Sequence, residues 1–143
     1  MHSGPVVRLG VEAMISAALI VMASGAAAAI HCPSFLSAAP PSPPFERVGQ
    51  APTAQAALRG VSLYSGLPGE EDKPAPAALV PEVEERQGRP VKSTWDLQAA
   101  PNERFLLVCR YRGSSAYLRM SLPTEISRCV WTDLPGRKAL ACR

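Results

Sequence analysis

A chain of 143 residues with 15 Lys and Arg against 12 Asp and Glu has room for one domain and a formal net charge of +3, too even a balance to mark a nucleic-acid binder. Hydrophobic residues reach 47%, but aromatics only 6% and prolines number 15. The core is therefore modest, and a domain of this size needs help in holding together.

The first segment reads as an export signal. Arg8 supplies a positive start, Ala13 to Met22 an apolar stretch too short for a permanent membrane span, and Ser24 to Ala29 a small-residue run. Ala27 and Ala29 fit an Ala-x-Ala cleavage site, so residues 1–29 are expected to be removed, with no membrane span left afterwards. An uncleaved anchor would want a longer stretch and a flanking basic cluster. A lipid-modified Cys32 would need small residues before it, where Ile30 and His31 stand.

All four cysteines, Cys32, Cys109, Cys129 and Cys142, follow that site. An even count in a short exported chain predicts two disulfides. Their wide spacing offers neither a Cys-x-x-Cys redox motif nor a zinc site, and no metal or other cofactor is expected.

After the signal, residues 30–57 form a lead-in made extended by Pro33, Pro40, Pro41, Pro43 and Pro44. A β-rich domain is expected over 58–143. Its first strand spans Leu58 to Tyr64, with Val61 and Leu63 alternating against Gly60, Ser62 and Tyr64. The Pro-rich, acidic stretch 68–78 reads as a mobile surface loop. Leu79, Val80 and Pro81 offer a short docking segment before a second acidic run of Glu82, Glu84 and Glu85.

The C-terminal half alternates more cleanly. Val91, Ser93, Trp95 and Leu97 share one strand face; Phe105, Leu107, Cys109 and Tyr111 share the next. A type II′ turn centred on Gly113 and Ser114 would set Phe105 opposite Leu122, Leu107 opposite Met120, Cys109 opposite Leu118 and Tyr111 opposite Ala116. A one-residue slip would destroy every apolar match. Turning about Pro135–Gly136 likewise sets Asp133 opposite Lys138, Trp131 opposite Leu140 and Cys129 opposite Cys142. That register pairs Cys129 with Cys142 and leaves Cys32 for Cys109. The predicted fold is mainly β: a small antiparallel sheet or sandwich-like domain of five to six strands in hairpins, stapled by two disulfides, after a signal-peptide helix.

Catalytic machinery is scarce. His31, in the lead-in, is the one histidine beyond the signal, which removes Ser–His, Cys–His and zincin-type chemistry, and it reads as a solvated tail residue. Ser93 and the neighbouring Lys92 point to opposite strand faces. Asp96 and Glu103 are the one carboxylate pair flanked by strands, and a surface strand end and a turn explain them more simply than a hydrolase does. No catalytic residue is assigned.

Charge is segregated instead. Between Arg104 and Arg143 stand eight basic residues (Arg104, Arg110, Arg112, Arg119, Arg128, Arg137, Lys138 and Arg143) against Glu125 and Asp133. Residues 30–103 carry nine acidic and six basic. Arg110, Arg112 and Arg119 with Tyr117, on the outer face of the Cys109 hairpin, form a candidate surface for an anionic partner. A solvated face that discourages edge pairing is the plainer explanation. The leading function is a non-catalytic binding module, monomeric, with an anionic partner in the envelope or outside the cell. An inhibitor of a hydrolase, presenting the acidic loop, is the alternative; a structural envelope component is a third.

Finally, the order Cys32-Pro33, Val61-Ser62-Leu63-Tyr64-Ser65-Gly66, Leu79-Val80-Pro81, Trp95-Asp96-Leu97, Cys109-Arg110-Tyr111, Leu122-Pro123 and two last cysteines resembles a family of small exported proteobacterial proteins that goes by a locus-tag designation. The resemblance implies a periplasmic or secreted protein of a Gram-negative bacterium and supplies no catalytic residues.

Overall fold

The computed structural model describes residues 2–4, 29–98 and 103–143. The signal segment lies mostly outside the described residues. Among the described residues ten strands run in chain order: β1 (Ile30–His31), β2 (Phe35–Leu36), β3 (Glu46–Val48), β4 (Ala56–Ser65), β5 (Glu82–Arg86), β6 (Arg89–Asp96), β7 (Phe105–Tyr111), β8 (Tyr117–Ser121), β9 (Arg128–Leu134) and β10 (Arg137–Cys142). They form two five-stranded antiparallel sheets, ordered β1-β10-β9-β6-β5 and β2-β4-β7-β8-β3.

The strand count exceeds the five to six expected because some elements leave no trace in the pattern. β5 buries neither face, so nothing selects alternating apolar residues along it. β1, β2 and β3 are two or three residues long. They weave the proline-rich lead-in into both sheets: Ile30 pairs with Cys142, Phe35 with Ala57 and Glu46 with Arg119. His31 is part of β1, its ring nitrogen 3.1 Å from the Leu140 carbonyl.

The two long hairpins adopt the registers that apolar matching demands. Leu107 faces Met120 and Cys109 faces Leu118, while the Leu122 N–H donates to the Phe105 carbonyl at 2.9 Å. Trp131 faces Leu140, Asp133 faces Lys138 and Cys129 faces Cys142. The turn after β7 differs from the expected type II′. Ser114 N–H closes it on the Tyr111 carbonyl at 3.4 Å, which puts Gly113, at φ +70°, in the third turn position, with Arg112 before it. Side-chain matching along the strands holds the register through this longer connection.

Between the sheets, Leu58, Leu63, Leu107, Tyr111, Leu118 and Met120 meet Trp95, Trp131 and Leu140 in one cluster that contains all four half-cystines. Burying a Leu side chain of this kind stabilises the fold by about 1.5–3 kcal/mol. Polar tips inside are satisfied: Tyr111 Oη donates to the Pro33 carbonyl at 2.7 Å, and Trp95 Nε1 to that of Leu79 at 3.2 Å. Burial also pushes the Tyr111 phenol well above its ordinary pKa, which keeps it a donor.

Two disulfides lie in this core, Cys32–Cys109 and Cys129–Cys142, the second between directly paired residues of β9 and β10, with sequence separations of 77 and 13. On the chain-entropy model they stabilise by about 4.5 and about 3 kcal/mol respectively, amounts comparable with the net stability of a domain this size. Replacing Cys32 and Cys109 by Ala is expected to lower the urea midpoint more than replacing Cys129 and Cys142. An equal or reversed order in equilibrium denaturation would show that loop closure does not govern their contributions.

Candidate functional site

Strand β7 is buried along nearly all its length, with Phe105, Leu107, Cys109 and Tyr111 facing the other sheet and Leu106 and Val108 facing away from it. The outer side is thus not a solvated face. Tyr64, Leu106, Val108 and Tyr117 form a second apolar cluster there, with Val48 packed against it.

Part of the acidic stretch 68–78 helps to close that face. Residues Glu70–Asp72 wind into a short 3-10 turn after Gly69, which holds φ +105°. Glu71 folds over the sheet with its side chain 1% exposed, and its Oε1 lies 2.5 Å from Arg119 Nη1. Tyr117 Oη donates to the same oxygen at 3.0 Å, and Gly69 N–H donates to Oε2 at 2.9 Å. Burial alone would raise the Glu71 carboxyl. Hydrogen bonds from Arg119, its own backbone, Gly69 and Tyr117 outweigh that and hold it below the ordinary carboxylate range. Burial and the Glu71 carboxylate push the Tyr117 phenol up to about 12. Hydrogen bonds to Glu46, 3.0 Å from Nε, and to Glu71 raise Arg119 beyond its usual value.

The four residues predicted to form an anion surface are therefore not one open face. Tyr117 is buried at 8% exposure, and Arg119 is neutralised by two carboxylates. Arg110 sits 5.2 Å over the Tyr117 ring and donates to Tyr64 Oη at 3.3 Å. Arg112 stands apart, exposed on the turn beyond β7. Glu71 lies in the stretch 68–78 expected to be a mobile surface loop, yet its side chain is buried against Arg119 and Tyr117. A usable signal existed: Val108 and Tyr117 are too apolar for an outward face unless something covers them.

Asp96 and Glu103 line a shallow cleft of about 220 Å³ beside Trp95 and Phe105. Asp96 is exposed, 3.7 Å from Arg128, and Glu103 accepts a hydrogen bond from Ser65 Oγ at 3.2 Å. Asp96 thus stands at an exposed strand end, as a surface role explains more simply than a hydrolase does. Among the described residues no cluster of three His, Cys, Asp or Glu side chains could hold a metal ion.

The Glu71 network gives a pH-dependent stability. A carboxyl with a depressed folded pKa stabilises above its unfolded value, and the contribution disappears as pH falls through the folded one. Glu71→Gln should lower stability at pH 7 by about 2–3 kcal/mol, the range for losing charged hydrogen bonds at a buried site. The gap from wild type should close in urea titrations on the acid side of the ordinary carboxylate range. A gap that persists there would mean that packing, not charge, holds the turn. Deleting Glu70 to Ala77 would be a poor probe of loop function, since it uncovers Tyr117 and removes a partner of Arg119.

No solved structure matches this chain. It is 36% identical over 119 residues, 80% of its own length and 79% of the relative's, to the "uncharacterized 16.3 kDa protein in trpG 5′ region" of Azospirillum brasilense. Residues 52–143 match the model of the type VI secretion system Tli immunity proteins, a span that takes in β4 through β10. The chain belongs to the type VI secretion system Tli immunity protein family.

Proposed function

We propose that this chain is an exported immunity protein: a non-catalytic domain that binds a toxin delivered by a type VI secretion system and blocks it outside the cytoplasm. The family match over 52–143 carries this reading, because it covers all the longer strands. Two disulfides in a small domain suit an oxidising compartment. A stapled sandwich also suits inhibition by binding, since a rigid surface loses little conformational entropy when it docks. The family favours this inhibitor-like role over a general module for anionic partners, and it favours a protein effector as the partner.

The test is a contest between sibling bacteria. Prey lacking this chain should be killed by parental attackers and spared by attackers without a working type VI apparatus. Restoring the full chain should rescue the prey, whereas residues 30–143 made without the leader should not. Prey that survive equally well without the chain would overturn the reading, and rescue by the leaderless form would overturn the compartment.

A further inference from the structure

Three hairpin tips converge at one end of the sandwich. The β5–β6 tip brings Arg86 and Arg89, the turn after β7 brings Arg112, and the β9–β10 tip brings Arg137 and Lys138. Arg86, Arg89, Arg112 and Lys138 line a single shallow cleft of about 550 Å³, together with one carboxylate, Asp133, and the apolar Val91 and Leu134. Arg112 and Lys138 also line the adjoining cleft with Arg137.

Compensation is slight. Lys138 pairs with Asp133, and Arg86 has Glu84 at 3.7 Å in an exposed pair, which is worth little. Among the described residues Arg89, Arg112 and Arg137 have no acidic partner. The contrast with Arg119, held by two carboxylates on the same molecule, is plain.

Local stability does not explain the arrangement. Arg86 and Arg89 are directly opposite each other at the end of the β5–β6 ladder, and like charges so placed repel. Between them Gln87 and Gly88 take φ +51° and +74°, the signature of a type I′ turn, whose first position favours Asn, Asp or Gly over Gln. Two unfavourable choices therefore coincide at one exposed tip, a pattern associated with function.

We infer that this arginine-lined cleft is the docking surface for an acidic segment of the toxin, its Asp and Glu side chains gripped by Arg86, Arg89 and Arg112. Val91 and Leu134 add apolar lining, which suits a peptide carrying apolar side chains among its acids. The inference rests on the immunity reading for the identity of its partner. Arginine forks bind carboxylates bidentately, and the concentrated positive field speeds encounter.

The experiment compares the full chain with R86E/R89E/R112E and with a charge-matched control, R104E/R128E/R143E, altered at the opposite end of the strands. The probe in vitro is a fluorescent hexaglutamate peptide at low salt; the readout in cells is rescue of prey. The cleft variant should bind the peptide about tenfold or more weakly and lose rescue, while the control keeps both. R86Q/R89Q, which removes charge without reversing it, should show an intermediate loss and guards against misfolding. Rescue by the cleft variant equal to wild type would overturn the proposal while leaving the immunity reading intact. Failure of wild type to rescue would sink the immunity reading, and peptide binding would still decide whether the cleft takes acidic segments. Phosphatidylglycerol vesicles bound through the same arginines, with no peptide bound, would overturn it in favour of a membrane surface.

Discussion

Strand β7 is apolar on both faces, and a strand of that kind needs cover on both. One cover is the facing sheet, joined through the core that holds Trp95, Trp131 and Leu140. The other is assembled from smaller parts: Tyr64 from β4, Tyr117 from β8, Val48 from β3, and the turn carrying Glu71. That second cover brings a carboxylate to a nearly dry position, and a lone buried charge there would be strongly destabilising. Arg119, Tyr117 and the Gly69 N–H remove the penalty together. The ion pair is thus a consequence of double-sided burial rather than an independent source of stability.

This dependence explains which parts could be read in the sequence. The β7–β8 and β9–β10 hairpins were legible because each slip in register carries a heavy hydrophobic penalty, and that penalty is written residue by residue in Phe105 to Tyr111 and Arg128 to Cys142. β5 was illegible because an exposed edge imposes no alternation. The burial of Glu71 was illegible for another reason. Its partner Arg119 is 48 positions away, and nothing local distinguishes Glu71 from Glu70, which lies with Lys73 and the Ala77 N–H.

The arginines divide by the same logic. Sequence spacing grouped Arg110, Arg112 and Arg119 on one hairpin, and alternation alone assigns them no separate destinations. In three dimensions Arg119 is tied into the fold and Arg110 lies over an aromatic ring. Arg112, carried past the end of β7 by its turn, joins Arg86 and Arg89 from a different hairpin. A charge count along the chain captures the excess of arginine but not which of them remain unpaired.

The cysteine connectivity has a consequence for how the protein is made. Taken in order of synthesis, the first cysteine bonds the second and the third bonds the fourth. An oxidase that joins each newly exposed thiol to the one before it therefore arrives at the native pattern directly, with no wrong bridge to undo and no call on an isomerase. Oxidation of this domain can thus follow the order in which its cysteines emerge, each bridge closing without a thiol having to change partners.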